Sequence, residues 1–244
     1  PVKQPAKKGS RPPVIDPYLP RSGNFGYRVS RYDLDLDYKV ASNRLSGTAT
    51  VTAATLASLR LFTLDIGDSL SVSKVTVNGK RPAHFATSTG KLRIRLDTAL
   101  PAGSAMSIVV RYGGTPRPIH SIWGTVGFEE LSNGALVAGQ PNGSPSWFPC
   151  DDHPSAKASY RIKVTTDSPY RVVAPGELVS RRVRAAQTEW TFEQPEPTST
   201  YLATVQIGMY TEHRLAKAPV PMQAFLPDRL RAAFEHDFAR QPQM

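Results

Sequence analysis

The sequence predicts an all-β protein whose antiparallel sheets pack face to face as a β-sandwich. The clearest observation is the strict alternation of apolar and acidic residues from Tyr32 to Tyr38, which is typical of a strand with one wet face. Short segments rich in Val, Ile, Leu and Thr then recur at intervals of roughly 8 to 12 residues, as sandwiches require. The dipeptides Asn78-Gly79 and Thr89-Gly90 supply turns that reverse antiparallel pairs.

The other strands are predicted from β-branched composition and from the turn residues between them. In the first half of the chain they cover residues 47–53, 60–65, 71–77, 91–96 and 107–112, with a turn at Pro101-Ala102-Gly103. In the second half they cover residues 159–166, 170–174, 178–183, 188–192 and 201–209. The absence of an internal linker rich in Gly, Ser or Pro favours a single domain of about 200 residues.

Three regions depart from this rhythm. The proline-rich and basic residues 1–24 predict an extended, poorly ordered arm, and the Gly- and Pro-interrupted residues 115–149 predict a long functional loop. Residues 227–238 have apolar residues at helical spacing, which predicts an amphipathic helix. We therefore divide the chain into a flexible arm (1–24), a β-sandwich domain (25–218), and a linker with a short helix (219–244) that we expect to begin a further domain.

The charge of the chain is strongly positive. The formal net charge of +10 at pH 7 suggests an anionic partner at first sight. Most basic residues fall on the predicted solvent faces of strands, however, and only Arg181, Arg182 and Arg184 form a compact run. A solvated basic surface is the preferred interpretation, so nucleic acid is not an expected partner.

Composition excludes several other classes. The single cysteine, Cys150, rules out an intrachain disulfide framework. No stretch approaches the roughly 20 apolar residues that a transmembrane helix needs, so no membrane segment is expected. The compartment is left open.

Candidate catalytic groups are few and scattered. The motifs H-E-x-x-H, G-x-S-x-G and C-x-x-C are absent. Asp151, Asp152 and His153 could together bind a divalent ion, but neighbours in an extended chain point in opposite directions. Capping of a turn by these aspartates is therefore preferred over a metal site.

Two further pairs of residues have the right chemistry and the wrong placement. Glu129 and Glu130 could act as an acid and a base, but sequence neighbours seldom converge on one substrate atom. Ser144 and Ser146 lie near His153 but lack an elbow motif, so neither is expected to be a nucleophile.

One long segment carries a family resemblance. It runs from Gly139 to Ala158 and includes Phe148-Pro149-Cys150-Asp151-Asp152-His153-Pro154-Ser155-Ala156-Lys157-Ala158. This segment resembles the aminopeptidase N family of zinc metallopeptidases, in which Phe-Pro-Cys-x-Asp-x-Pro-x-x-Lys-Ala recurs. The strand at Tyr32–Tyr38 and the sequence Ser199-Thr200-Tyr201-Leu202 are similar to family segments in the same order.

The resemblance implies both a fold and an enzyme. It implies that the chain is the saddle-shaped N-terminal β-sandwich of a zinc aminopeptidase, packed against a catalytic domain that follows it. In the family the zinc ligands and the catalytic groups belong to that following domain. We therefore expect zinc in the parent enzyme, no metal ligand or catalytic residue within this chain, and no activity of this chain alone.

The resemblance assigns one substrate-binding residue. The family places a Glu or Gln ten positions before the motif cysteine, where its side chain binds the free α-amine of a peptide substrate. The matching residue here is Gln140. An amide oxygen can accept a hydrogen bond from an ammonium group, although Gln140 would otherwise merely close a Gly-Pro loop.

The other motif residues are expected to be structural. Trp147 and Phe148 are predicted core aromatics, Cys150 a small buried hydrophobe and Asp152 a turn cap. Many family members carry an Arg just before the Phe-Pro-Cys sequence, and Ser144-Pro145-Ser146 occupies that place here. Any ion pair made by that Arg is lost.

Two functional hypotheses remain from the sequence. The first is a domain that grips the free N-terminus of a peptide for a zinc aminopeptidase. The second is a stand-alone β-sandwich module that binds a protein or a polyanion through its basic face.

Overall fold

The computed structural model describes residues 15–216 and 220–243. In these residues the structure is mostly extended, and the α-helix α1 covers Arg231–Asp237. The first strands are β1 (Tyr27–Lys39), β2 (Arg44–Thr55), β3 (Leu59–Asp65), β4 (Leu70–Val77), β5 (His84–Ser88), β6 (Lys91–Leu100), β7 (Ala105–Gly114), β8 (Ile119–Ser121) and β9 (Gly124–Leu131). The later strands are β10 (Gly134–Ala138), β11 (Lys157–Asp167), β12 (Arg171–Val173), β13 (Glu177–Arg184), β14 (Gln187–Ser199), β15 (Gln206–Gly208), β16 (Thr211–Ala216) and β17 (Met222–Leu226).

The strands form one large sheet and three smaller ones. The seven-stranded sheet has the order β13-β14-β11-β1-β2-β7-β4, and the five-stranded sheet has the order β12-β15-β10-β9-β8. A three-stranded sheet, β3-β6-β5, and the hairpin β16-β17 complete the fold. The predicted all-β class is confirmed, with one departure from antiparallel pairing, because β1 pairs with β11 in parallel.

The core lies on one face of the large sheet. The apolar residues of β1 are buried on that face, whereas its aspartates point to solvent. The ring of Tyr27 lies 5.8 Å from that of Phe62 in β3, and the ring of Tyr38 lies 5.2 Å from that of Phe128 in β9. The large sheet therefore packs against the three-stranded sheet and the five-stranded sheet through edge-to-face aromatic contacts.

The alternating and β-branched patterns predicted the strands of the large sheet, and also β3, β6 and β12 of the smaller sheets. Each predicted segment from 32–38 through 107–112, and again from 159–166 through 188–192, coincides with an observed strand. The observed strand β12 is shorter by one residue at each end than the predicted segment 170–174. The short strands β5, β16 and β17 were not predicted from the sequence.

The prediction of a long loop over residues 115–149 was wrong in its first part. That region contains β8, β9 and β10, which build most of the five-stranded sheet. Its glycines suggested a loop, but several occupy positive-φ positions at strand ends, such as Gly124 at φ 102° and Gly134 at φ 136°. Residues 115–118 and the stretch from Gly139 to Pro149 are irregular, apart from a 3-10 turn at Ser144–Ser146.

The predicted strand at 201–209 was also partly wrong. A 3-10 turn covers Thr200–Leu202, and the strand β15 is confined to Gln206–Gly208. The predicted helix at 227–238 is a 3-10 turn at Asp228–Leu230 followed by the seven residues of α1. None of the helices in the described ranges is long and apolar enough to cross a membrane.

The predicted arm has two parts. Residues 1–14 lie outside the described residues. The later part contacts the domain, since Leu19 is buried and Asn24 donates its backbone N–H to Asp151 Oδ1 at 2.8 Å. The division of the chain into arm, sandwich and linker with helix stays a prediction.

Gly134 provides a direct test of how tightly the five-stranded sheet is packed. At φ 136°, a Cβ atom on this residue would lie 2.0 Å from the carbonyl oxygen of Ile207 in β15. We expect Gly134→Ala to lower the free energy of unfolding by more than about 3 kcal/mol, because backbone strain and a backbone clash add together. Urea unfolding followed by circular dichroism measures the change.

Gly79→Ala is the matched control for this prediction. Gly79 has φ 77°, but no atom lies within 4 Å of the position of its Cβ. The control should therefore cost only the positive-φ strain, about 1 kcal/mol. Equal losses for the two variants would show that β10 is not in close contact with β15.

Candidate functional site

Gln140 lies at one end of the five-stranded sheet. It follows the end of β10 at Ala138 by two residues, and β10 is paired on both sides, with β9 and with β15. The residue is exposed, whereas Gly139 before it and Gly143 after it are buried. An exposed polar side chain therefore stands on a loop whose backbone is enclosed.

The backbone on both sides of Gln140 is closely packed. A Cβ atom on Gly139 would lie 2.9 Å from the carbonyl oxygen of Tyr201, and one on Gly143 would lie 2.6 Å from the backbone nitrogen of Gly127. The N–H of Gly143 donates to the carbonyl of Gly139 at 2.7 Å, which closes the loop. These contacts leave the loop little room to move, because each neighbour is backbone and not a flexible side chain.

The 3-10 turn at Ser144–Ser146 anchors the far end of the loop. The hydroxyl of Ser146 accepts the backbone N–H of Phe128 at 2.8 Å and donates to the carbonyl of Gly143. Gly67 donates its N–H to the carbonyl of Pro145 at 2.6 Å. Both serines are fully buried.

The residues after this turn form part of the core. Trp147 and Phe148 are both completely buried, with ring centroids 4.4 Å apart. Cys150 is also completely buried, and burial is the main cause of the raised pKa of its thiol. The predictions of core aromatics and of an apolar cysteine are confirmed.

A buried carboxylate, Asp65, connects the segment around Cys150 to the rest of the domain. Asp65 Oδ2 accepts the backbone N–H of Gly23 at 3.1 Å, the backbone N–H of Asp152 at 3.0 Å and the side-chain amide of Asn24 at 2.8 Å. Asp65 Oδ1 forms an ion pair with the ammonium group of Lys91. Four donors thus compensate the burial of one charge.

Asp151 lies beside this cluster and has a perturbed acidity. Its Oδ1 accepts the backbone N–H of Asn24 at 2.8 Å, and its own N–H donates to the hydroxyl of Tyr32 at 2.9 Å. Burial and, to a lesser extent, the charge of Asp65 raise the pKa of Asp151 to about 6. Burial therefore disfavours its charged form relative to an unfolded chain, although the charged form still predominates at pH 7.

Asp152 does not cap a turn, contrary to the prediction. Its Oδ1 accepts a hydrogen bond from the hydroxyl of Thr200 at 2.6 Å, and Oδ2 has no partner among the described residues. Burial is the main cause of the raised pKa of this carboxyl. The bond to Thr200 joins the two sequence segments that carry the family resemblance.

The structure does not assemble the other candidate sites. Among the residues it describes, no three His, Cys, Asp or Glu side chains are grouped so that they could hold a metal ion. Glu129 and Glu130 are neighbours on β9, so their side chains point to opposite faces. Glu130 instead accepts a hydrogen bond from the side-chain amide of Asn43 at 2.9 Å.

Two cavities lie near the candidate residues described above. A shallow one of about 230 Å³ beside Gln140 is lined by Pro141, Trp123 and Tyr18, whose two aromatic side chains are mostly exposed. A larger one of about 530 Å³ is lined partly by His153 and Ser155. Ser155 Oγ lies 2.8 Å from His153 Nδ1, but the other ring nitrogen has no described partner, so this is a local turn contact and not a triad.

Sequence reasoning missed the residues that hold the site in place. Asp65, Lys91 and Asn24 lie in three separate parts of the chain and belong to no recognisable motif. Trp123 was also missed, because the hairpin of β8 and β9 was taken for part of a loop. A strand prediction for residues 119–131 would have placed Trp123 in the tight turn between two strands.

The comparisons with known proteins agree with this architecture. The described residues form an all-β module with a buried Phe-Pro-Cys segment. The chain belongs to the family described as the Peptidase M1 N-terminal domain, whose model matches residues 29–202. The match covers β1 through the Thr200–Leu202 turn and includes Gln140, so the resemblance stated from the sequence is confirmed.

Similar proteins are aminopeptidases of greater length. The chain is 23% identical over 210 residues to a leucyl aminopeptidase of Saccharolobus solfataricus, covering 84% of this chain and 25% of that protein. It is 27% identical over 193 residues to aminopeptidase M1-A of Oryza sativa subsp. japonica, covering 74% of this chain and 22% of that protein. The chain therefore spans about a quarter of the length of these relatives.

Solved structures show the same fold. A mutant M1 zinc metallopeptidase of Deinococcus radiodurans bound to a Tyr-Ser-Ala substrate superimposes with a TM-score of 0.77 at 25% identity, over 86% of this chain and 50% of that one. The unsubstituted enzyme superimposes with a TM-score of 0.77 at 24% identity, over 88% of this chain and 53% of that one. The chain corresponds to about half of each.

The acidity of Asp151 predicts a specific pH dependence of stability. Its folded pKa of about 6 lies above the value of about 3.9 in an unfolded chain, so the folded state binds the proton more tightly. The resulting stabilisation is fully present below pH about 4 and is lost as pH rises through about 6. Asp151→Asn removes this titration and keeps an oxygen that can accept the bond from Asn24.

We expect the variant to gain about 2 kcal/mol relative to the wild type between pH 4.5 and pH 7.5, measured by urea unfolding at both pH values. Asp97→Asn is the control, because Asp97 is exposed and makes no side-chain hydrogen bond within the described ranges. A stability difference for Asp151→Asn that does not change with pH would contradict the assigned burial of the charge.

Proposed function

We propose that this chain is the substrate-recognition domain of a zinc-dependent aminopeptidase that removes N-terminal amino acids from peptides. In this proposal the Oε1 atom of Gln140 accepts a hydrogen bond from the free α-ammonium group of the substrate. The observation that carries the proposal is the exposed Gln140 side chain on a loop enclosed by Gly139, Tyr201, Gly143 and Gly127.

The rigidity of the loop supports a positioning role. An anchor for a substrate terminus helps catalysis when its own position is fixed, because a misplaced terminus moves the scissile bond as well. The backbone contacts of Gly139 with Tyr201 provide such a fixed base. A loop that only connected two elements would not need backbone contacts on both sides.

The chemistry of the side chain also supports the proposal. An amide oxygen accepts a hydrogen bond from an ammonium group, and the amide carries no charge that must be desolvated when the substrate binds. The similar Deinococcus radiodurans enzyme was solved with a Tyr-Ser-Ala substrate, a peptide of three residues. We infer that the partner here is likewise a peptide, held by its free N-terminus.

Zinc has no binding site among the residues described here. The carboxylates of Asp65, Asp151 and Asp152 are not arranged to hold a metal ion. They instead accept hydrogen bonds from backbone N–H groups and from Thr200, and Asp65 forms an ion pair with Lys91. We place the zinc and the hydrolytic groups in a further domain of the parent enzyme and propose that this chain alone does not hydrolyse peptides. The role assigned to this chain is to bind and orient the substrate.

The test uses the full-length product of the gene, assayed with amino-acid p-nitroanilides in the presence of zinc. We expect Gln140→Ala to raise KM for these free-amine substrates by about tenfold or more, which is the usual effect of losing a hydrogen bond to a charged group. Gln140→Glu should keep binding, because its carboxylate also accepts from an ammonium group. The 244-residue chain assayed alone should show no turnover.

Two controls separate the anchoring role from a general loss of structure. Gln223→Ala removes an exposed glutamine from β17 and should leave KM unchanged. Affinity for an N-acetylated dipeptide should be the same in Gln140→Ala and in the wild type. An unchanged KM in Gln140→Ala would rule out the anchoring role of Gln140. No activity of the full-length protein with zinc bound would favour a stand-alone binding module.

A further inference from the structure

The strand β13 leaves one side of the large sheet open. It is the last strand in the order β13-β14-β11-β1-β2-β7-β4, and among the described residues it pairs with β14 alone. All of its residues except Ser180 are exposed. Its outer backbone N–H and C=O groups are therefore available to an added strand.

The solvent face of this sheet alternates in charge from strand to strand. β1 is acidic and β11 is basic, and Lys163 of β11 contacts Asp35 of β1 at 2.6 Å. β14 is acidic, and its Glu193 lies 3.3 Å from Arg161 of β11. Glu189 of β14 also lies 3.9 Å from Lys163. Cross-strand pairs of opposite charge thus stabilise the β1–β11 and β11–β14 boundaries on this face.

The strand β13 is basic and so continues the alternation of charge. Among the described residues no strand lies beyond it to pair with its charges. Arg182 lies opposite Glu189 in the register of β13 and β14, and Arg184 follows on the same face. Neither arginine is within 4.0 Å of a carboxylate in the described part of the chain. The next strand in the alternation would be acidic.

The opposite face of β13 offers apolar contacts. Leu178 lies opposite the buried Phe192, so it points to the core side of the sheet, where it is 45% exposed. Val183 is 61% exposed, and it shares a face with Arg181, whose guanidinium lies 4.8 Å from the ring centroid of Trp190. A strand beside β13 would therefore meet Arg182 and Arg184 on one face, which begins with Glu177. On the other face it would meet Leu178 and Val183, with Arg181 between them.

We propose that β13 binds an extended acidic peptide, in which Asp or Glu alternates with apolar residues, as an additional strand of the large sheet. The domain already contains one such pairing. The acidic and apolar residues of β1 alternate from Tyr32 to Tyr38, and this strand pairs directly with the basic strand β11. The acidic peptide would pair with basic β13 at the edge of the sheet, as acidic β1 pairs with basic β11 inside it.

The proposal is independent of peptide hydrolysis. The arginines could instead act only to discourage edge-to-edge aggregation, as charges on edge strands commonly do. They could also bind any polyanion, including nucleic acid, without strand pairing. The experiment below distinguishes strand addition from both.

The probe is a fluorescein-labelled peptide, Thr-Glu-Val-Glu-Val-Glu-Thr, titrated against the 244-residue chain and followed by fluorescence anisotropy. We expect saturable binding of this peptide and none of Thr-Lys-Val-Lys-Val-Lys-Thr. N-methylation of alternate backbone nitrogens on the pairing side should abolish binding, because it removes ladder hydrogen bonds and leaves the charges unchanged.

Two charge-reversal variants complete the test. Arg182→Glu with Arg184→Glu should weaken binding of the acidic peptide by about tenfold or more and create binding of the lysine peptide. Arg93→Glu with Arg95→Glu is the matched control, with the same spacing on β6, which is paired on both sides. Circular dichroism confirms that both variants are folded.

Several outcomes would overturn the proposal. Absence of binding by the acidic peptide would show that the arginines only protect the edge. Equal binding of the N-methylated peptide, or tighter binding of single-stranded DNA, would show attraction to a polyanion without strand addition. Equal weakening by the β6 control variant would show that overall charge, and not β13, determines binding.

Discussion

The burial of the Asp65 carboxylate is the constraint on which the arrangement of the site depends. A buried charge is tolerated only when donors surround it, and here the donors come from the segment before β1, from β6 and from the backbone at Asp152. The backbone of Asp65 also exchanges hydrogen bonds with that of Cys150, at 2.7 and 3.0 Å. One side chain thus brings together three regions that are far apart in sequence.

The position of the Gln140 loop follows from this arrangement. The loop ends in the segment Trp147 to Asp152, which is held by core packing and by the Asp65 cluster. It begins at β10, which lies between two partner strands. With both ends fixed and Gly139 against the backbone of Tyr201, the exposed side chain of Gln140 projects from a rigid base.

Much of the fold could be predicted from the sequence, and the reason is visible in β1. The large sheet has one wet face and one buried face, so its strands carry the period-two pattern that a sequence reveals. Strands β8 to β10 of the five-stranded sheet could not be predicted in this way, because they are short and carry glycines at their ends. Tertiary pairing, and not local propensity, makes these residues extended.

The site was only partly predictable for a related reason. The family resemblance of the Phe-Pro-Cys segment implied a role for Gln140. No local pattern could show that Asp152 would accept a hydrogen bond from Thr200 and not cap a turn. Likewise, the sequence showed the run of arginines at residues 181 to 184 but not that it lies on the open edge of a sheet with alternating charges. Both facts depend on contacts between residues distant in the chain.

The most direct test of the central claim is a crystal structure of the full-length protein with a bound peptide that has a free N-terminus. The distance from Gln140 Oε1 to the α-amine nitrogen of that peptide is the quantity to measure. The account predicts a hydrogen bond of about 2.7 to 3.2 Å. A bound peptide whose amine lies beyond the reach of Gln140 and is held by other groups would contradict it.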